Sequence, residues 1–168
     1  MRHTWLAGAA VAAAAISLPV ATAGTARAAT EASPRRELVT VTTATAWNRA
    51  AATLAKKLVG DPYAYGGTGP AGFDCSGLTQ YVYRHAGGGK VISRTAEGQF
   101  KQFKRIRHAT ARPGDLVFFH DTSDPGSYVY HVGLYEGGDD MVAATTTGGD
   151  VRLQSFAWAG DTVTFGTM

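Results

Sequence analysis

The period of the hydrophobic pattern changes near residue 104, and that change constrains the fold more than any other feature of the chain. Before it, apolar residues recur at helical spacing. Thr45 has the chemistry of an N-cap, and Trp47, Ala51, Leu54 and Leu58 follow on one face until Gly60. A second helix is predicted to start at Asp74, with Leu78, Tyr81, Val82 and His85 on one side and Ala86-Gly87-Gly88-Gly89 as its stop. A shorter helix is expected over 95–103. Beyond 104 the alternation is that of strands, at 115–119, 129–136, 141–146, 151–156 and 162–166, divided by Arg112-Pro113-Gly114, Gly137-Gly138-Asp139-Asp140 and Gly148-Gly149. Helices packed on an antiparallel β-meander of about five to six strands describe an α+β domain, expected over 45–168.

The chain has 168 residues, 45% hydrophobic and 17% charged, enough for one core of ordinary domain size. Arg2, the alanine-rich run 5–20 and Ala26-Arg27-Ala28 have the order of a signal peptide, assigned to 1–29, with Ala21-Thr22-Ala23 as an alternative cleavage motif. The run is short for a membrane span, so no stable insertion is expected after cleavage. Residues 30–44, rich in Ala, Thr and charge, read as a flexible lead-in. Cleavage removes Arg2 and Arg27 and leaves fourteen basic residues against thirteen acidic, a net charge of +1 in place of +3. That balance excludes bulk nucleic-acid binding, which needs a strongly basic face. The basic run Lys101, Lys104, Arg105, Arg107 and His108 reads as a solvated helix face ahead of a site for anionic wall polymer.

Cys75 is the only cysteine, which leaves an exported chain no internal disulfide. One reading is a buried small hydrophobe. Its place directly after Asp74, in the first helical turn, gives another: unpaired amides and the helix dipole favour a thiolate there. Such a nucleophile needs a base. Of the five histidines, His3 lies in the signal segment and His85 stands three turns along the helix from Cys75. His108 belongs to the basic run, and His120 ends a strand, a position from which it could line a cleft rim. His131 sits within Tyr130-His131-Val132-Gly133-Leu134-Tyr135, where a strand can hold an imidazole rigidly toward one face; a satisfied core histidine is the other reading. The Gly- and Pro-dense stretch 60–72, with Tyr63 and Tyr65, reads as a loop laying tyrosines along a cleft. One cysteine and scattered histidines give no metal-ligand spacing, and the glycines of 66–72 lack the preceding strand of a nucleotide-binding turn, so neither metal nor cofactor is expected.

Together these residues resemble a known family, the NlpC/P60 cell-wall peptidases. The likeness runs through Asp61-Pro62-Tyr63-Ala64-Tyr65-Gly66-Gly67-Thr68-Gly69-Pro70, Gly72-Phe73-Asp74-Cys75-Ser76-Gly77-Leu78, Ser93-Arg94-Thr95, Arg112-Pro113-Gly114-Asp115-Leu116-Val117-Phe118-Phe119 and His131-Val132-Gly133-Leu134-Tyr135. The resemblance implies a papain-like domain acting at the cell wall; the signal segment implies secretion, and a monomer is expected. Its substrate would be peptidoglycan stem peptides, usually cut between D-γ-glutamate and a diamino acid such as diaminopimelate. By the same resemblance Cys75 attacks the carbonyl, and His131 serves as base and then as acid for the leaving amine. The Cys75 N–H with the Tyr63 hydroxyl steadies the oxyanion, and Asp74 and Ser76 hold the stem peptide. Asp74 is equally a helix cap.

One departure matters. Relatives carry a third polar residue, commonly histidine, on the strand after the one bearing the base, in a Met-Ile-His-Ala-like run. Here the run reads Met141-Val142-Ala143-Ala144, and Ala143 cannot orient an imidazole. Thr145, on the same strand face as Ala143, is a substitute acceptor, beside a backbone carbonyl, a water or, at longer range, His120. Reduced rather than abolished activity is the expectation. A wall-binding module that has lost turnover and an amidase of related fold are the competing functions.

Overall fold

The computed structural model describes residues 34–168 apart from 88, 147 and 148, with side chains from residue 45 onward. The signal segment expected at 1–29 lies outside the described residues. Helix α1 runs over Pro34–Lys57. It begins well before Thr45, because proline is tolerated in a first helical turn and no glycine or second proline follows until Gly60. Residues 34–44, expected as a flexible lead-in, therefore continue the helix.

Strands β1 (Thr68–Gly69) and β2 (Gly72–Phe73) fold the glycine-rich loop into a small hairpin, and helices α2 (Cys75–His85) and α3 (Ala96–Gln102) follow. Both helices are capped by a side chain, α2 by the Asp74 expected there. Asp74 Oδ1 accepts the Gly77 N–H at 2.7 Å, and Thr95 Oγ1 accepts the Gly98 N–H at 3.1 Å. Of the basic run only Lys101 lies on a helix, exposed on α3. Lys104–Ile106 forms strand β3 at the sheet edge, with the Arg105 guanidinium over the Phe100 ring. Phe103, buried just before it, closes the helix and sets the extended direction.

Strands β4 (Leu116–His120), β5 (Val129–Gly137), β6 (Asp140–Thr145), β7 (Asp150–Ser155) and β8 (Val163–Thr167) complete an antiparallel sheet of order β3-β8-β4-β5-β6-β7. The expected meander holds from β4 to β7. Strand β8 instead returns to the far side of β4, where Val117 pairs with Phe165, and there receives β3.

The sheet divides two buried clusters. On the helix side Ala51, Leu78, Val82 and Tyr83 meet Leu116, Val132, Leu134 and Val142. On the other side Val117, Phe119, Tyr135, Met141 and Ala143 pack with Phe156, Ala159 and Phe165. Alternate residues of β5 thus enter different cores, as the two-residue repeat of a strand requires. Among the described residues no helix is long and apolar enough to cross a membrane.

Polar contacts fasten α1 to the sheet. Asn48 Nδ2 donates to Asp115 Oδ1 at 2.9 Å, both side chains being buried. Gly114, at φ 97°, lets the two segments close up, since a Cβ there would lie 2.2 Å from the Asn48 oxygen. Lys56 Nζ lies 3.1 Å from Glu136 Oε2, whose side chain is only 2% exposed. Burial pushes the Glu136 carboxyl up, and Lys56 offsets this only in part. A carboxyl raised in the folded state costs stability as pH rises from its ordinary value through the raised one. Glu136→Gln is therefore expected to raise the melting temperature at pH 8 by about 3 °C and to lose that advantage near pH 4. Thermal unfolding at both pH values checks this, and a variant less stable at pH 8 would contradict it.

Candidate active site

The loop before α2 is tied down onto that helix's first turn. Ala64 N–H donates to the Phe73 carbonyl at 2.9 Å and Asp74 N–H to the Gly67 carbonyl at 3.0 Å. A Cβ on Gly77 would lie 2.0 Å from the Gly67 oxygen, so the close approach of loop and helix depends on glycine there. Asp74 binds on several sides at once. Beyond the cap, its Oδ2 accepts the Gly66 N–H at 3.0 Å, and Arg94 donates to both carboxylate oxygens, at 3.0 and 2.5 Å. Arg94 Nη1 also reaches Ser76 Oγ at 3.0 Å. Fully buried Gln99 fixes this corner from behind. It donates to the Ser76 and Ser93 carbonyls at 2.9 and 2.8 Å and accepts from the Thr79 hydroxyl at 2.7 Å.

Cys75 opens α2 and packs against the helix-side core. His131 belongs to the opposite face. It pairs across β4–β5 with Phe119, and the two rings lie 5.2 Å apart. Thiol and imidazole face a common space because the β5–β6 ladder ends at Leu134 and Val142, while β5 extends to Val129 and β6 to Thr145. A cleft of about 410 Å³ lies along this split and is lined by Cys75, His131, Tyr63, Ala144 and Thr145. Tyr130 and Trp158 form an aromatic wall, the indole stacking 5.7 Å from the Phe119 ring. Among the described residues no group of three His, Cys, Asp or Glu side chains could hold a metal ion.

Burial pushes the Cys75 thiol up, and the Asp74 carboxylate adds to the rise; the Val132 and Ser76 N–H groups and the Ser76 hydroxyl pull the other way without prevailing. The expected lean toward thiolate is therefore not met at rest. Desolvation outweighs a helix-end field worth about half a charge. Burial lowers His131 to about 4, so the imidazole is neutral near pH 7 and free to accept a proton. Tyr63 is raised by burial, then by Cys75 and Asp74, and stays a phenol able to donate. For Asp74 burial works against ionisation, but Arg94 and the Gly77 and Gly66 N–H groups hold its carboxyl below the usual range. The cleft is thus lined by a neutral thiol and a neutral imidazole, with hydrogen-bond donors among its other lining residues.

Cys75, His131, Tyr63 and Thr145, singled out in the sequence, line one cleft; Asp74 and Ser76 form the adjoining Arg94 corner. Ala143 is fully buried, next to Gly133. His120 does not reach the rim. It is buried, with its ring nitrogens at the Ser127 carbonyl (3.0 Å) and the Thr164 hydroxyl (2.9 Å). Sequence reasoning gave no role to Arg94 and did not single out Tyr130, Arg152, Gln154 or Trp158. The alternation of Asp150, Arg152 and Gln154 with Val151 and Leu153 is a legible signal of a polar strand face. Nothing local to Trp158 marks it.

The NlpC/P60 family profile matches residues 60–165. The chain is similar to the probable endopeptidase p60 of Listeria monocytogenes, 45% identical over 94 residues, which are 56% of this chain and 18% of that protein. It is likewise similar to a gamma-DL-glutamyl hydrolase of Bacillus subtilis, 39% identical over 92 residues, 54% of this chain and 22% of that one. The match thus spans less than a quarter of either curated relative. Among solved structures, the NlpC/P60 domain of the peptidoglycan hydrolase SagA superposes with a TM-score of 0.62 at 34% identity, over 72% of this chain and 98% of that one.

The charge state of the thiol can be read directly. Alkylation of Cys75 by iodoacetamide is expected to be slow at pH 7 and to climb only above the ordinary thiol range of about 8.5, since thiolate appears as pH rises through a raised pKa. Asp74→Asn keeps an N-cap but removes the negative charge and leaves Arg94 unneutralised, so the alkylation profile should move to lower pH. A rate already high and flat from pH 5 upward would contradict the neutral pair.

Proposed function

Because the chain belongs to the NlpC/P60 family, we propose that it is an exported cysteine peptidase that hydrolyses peptidoglycan stem peptides at the D-γ-glutamyl–diamino acid bond. The observation that carries this reading is the shared cleft, with the Cys75 thiol at a helix start and the neutral His131 imidazole across the parted strands. The names endopeptidase, gamma-DL-glutamyl hydrolase and peptidoglycan hydrolase, borne by similar proteins, support the bond and the polymer.

Both groups being uncharged at rest, proton transfer accompanies attack. Cys75 Sγ bonds to the carbonyl carbon while His131 takes the thiol proton. The N–H of Cys75, at the start of α2 where amides have no intrahelical acceptor, and the Tyr63 hydroxyl are the donors offered to the oxyanion. His131 then protonates the departing amine, the C–N bond breaks, and a thioester remains. Water, giving its proton to His131, attacks the thioester and returns the free thiol. Asp74 and Ser76, held by Arg94, stand where the acyl part of the stem peptide would enter. Thr145, which lines the cleft, is the proposed replacement for the polar group absent at Ala143. Ala143 is also what favours the second reading, a wall-binding module without turnover.

Cys75→Ala is expected to abolish release of new amine from a stem peptide, and His131→Ala to lower kcat/KM by about 100-fold or more. Mass analysis of the digest measures both. Stem-peptide binding without any new amine in the unaltered protein would favour the binding module. Ala143→His is expected to raise kcat about tenfold, with circular dichroism checking that the larger side chain is accommodated at this fully buried position.

A further inference from the structure

Beyond His131 the cleft continues across the β6–β7 pair, where Ala143 stands opposite Arg152, with Gln154 and Trp158 completing that end. Arg152 is the one cation among the described residues that line the cleft. Its Nε and Nη2 donate to a single oxygen, Asp150 Oδ1, at 2.7 and 2.5 Å. An arginine carries five N–H donors in a fork suited to carboxylates, and one aspartate oxygen uses only two of them. Arg94, by contrast, already has both Asp74 oxygens. His131 on β5 and Arg152 on β7 line the same cleft two strand spacings apart, about 10 Å.

Under the proposed function, the acyl part of the substrate lies at Cys75 and the leaving amine at His131. The part of the cleft between His131 and Arg152 is then where the departing residue extends its side chain. We infer that Arg152 binds a carboxylate on that departing diamino acid, and so selects stems whose diamino acid bears a side-chain carboxylate, as diaminopimelate does, over those with an ammonium alone, as in lysine. The inference rests on the proposed function and adds its substrate class. Two effects act together. The guanidinium forms charge-assisted hydrogen bonds to the carboxylate, with the Gln154 amide beside it, and a lone ammonium in the same place meets like charge.

The test compares three stem peptides that differ in the third residue: meso-diaminopimelate, its side-chain amide, and L-lysine. The purified chain is expected to cleave the first with a kcat/KM about tenfold above the other two. Arg152→Gln should bring the ratio close to one, chiefly through KM, whereas Arg152→Lys should keep part of it. Calorimetric binding of the same peptides to the Cys75→Ala protein should give the same order without turnover, and circular dichroism checks that the Arg152 variants are folded. Equal cleavage of all three, or a preference that Arg152→Gln retains, overturns this inference and leaves the proposed function standing. Cleavage of none overturns the proposed function, and the binding order then decides the role of Arg152 by itself: equal binding rejects it.

Discussion

The carboxylate of Asp74 holds together the part of the molecule on which the site depends. One oxygen caps α2, the other ties the Gly66 loop, and Arg94 clasps both. The Gly66 loop, the first turn of α2 and the Arg94 segment thereby meet at the residue next to Cys75. Charge-assisted hydrogen bonds of this kind are directional as well as strong, so they fix where the helix begins and not merely that it does. Gln99 supports the arrangement with bonds that involve the backbone of Ser76 and Ser93, and Gly77 makes room for the loop above it. The same carboxylate has an electrostatic effect of its own: it adds to the rise of the thiol that it positions.

A raised thiol and a depressed imidazole amount to one decision, made by burial. In a half-buried cleft walled by Tyr63, Tyr130 and Trp158, separated charges are poorly solvated and the neutral pair is preferred. Under the proposed function, such a cleft would keep thiol and imidazole unionised until substrate arrives and would strengthen each hydrogen bond made to the oxyanion. It also lessens the need for a third residue that stabilises a standing imidazolium, which bears on the presence of alanine at 143. Ala143 is itself fully buried, and Arg152, opposite it on β7, lines the end of the cleft.

Much of this was legible in the chain. The change of period near 104 gave helices followed by strands, Asp74 was readable as a cap, and the segments from β4 to β7 fell close to their expected places. The misreadings have local causes. α1 starts at Pro34, which periodicity counted from the apolar residues does not register. The basic residues of β3 looked like a helix face because exposed charge carries no period of its own; pairing of Arg105 with Gly166 of β8 decides it. The return of β8 to the side of β4 joins segments more than forty positions apart, and no local pattern encodes such a pairing.

For the site, the sequence by itself determined chemistry and placement along each element: a lone cysteine behind a capping aspartate and a histidine within a strand. Those follow from propensity and spacing, which act over a few residues. Only the tertiary structure decided that the thiol on the helix side and the imidazole on the other face open onto one cleft. That depends on β5 and β6 parting after Leu134 and Val142, and on the balance of burial against charge once the surrounding walls are in place. Desolvation is a property of everything packed around a group, so no window of sequence contains it.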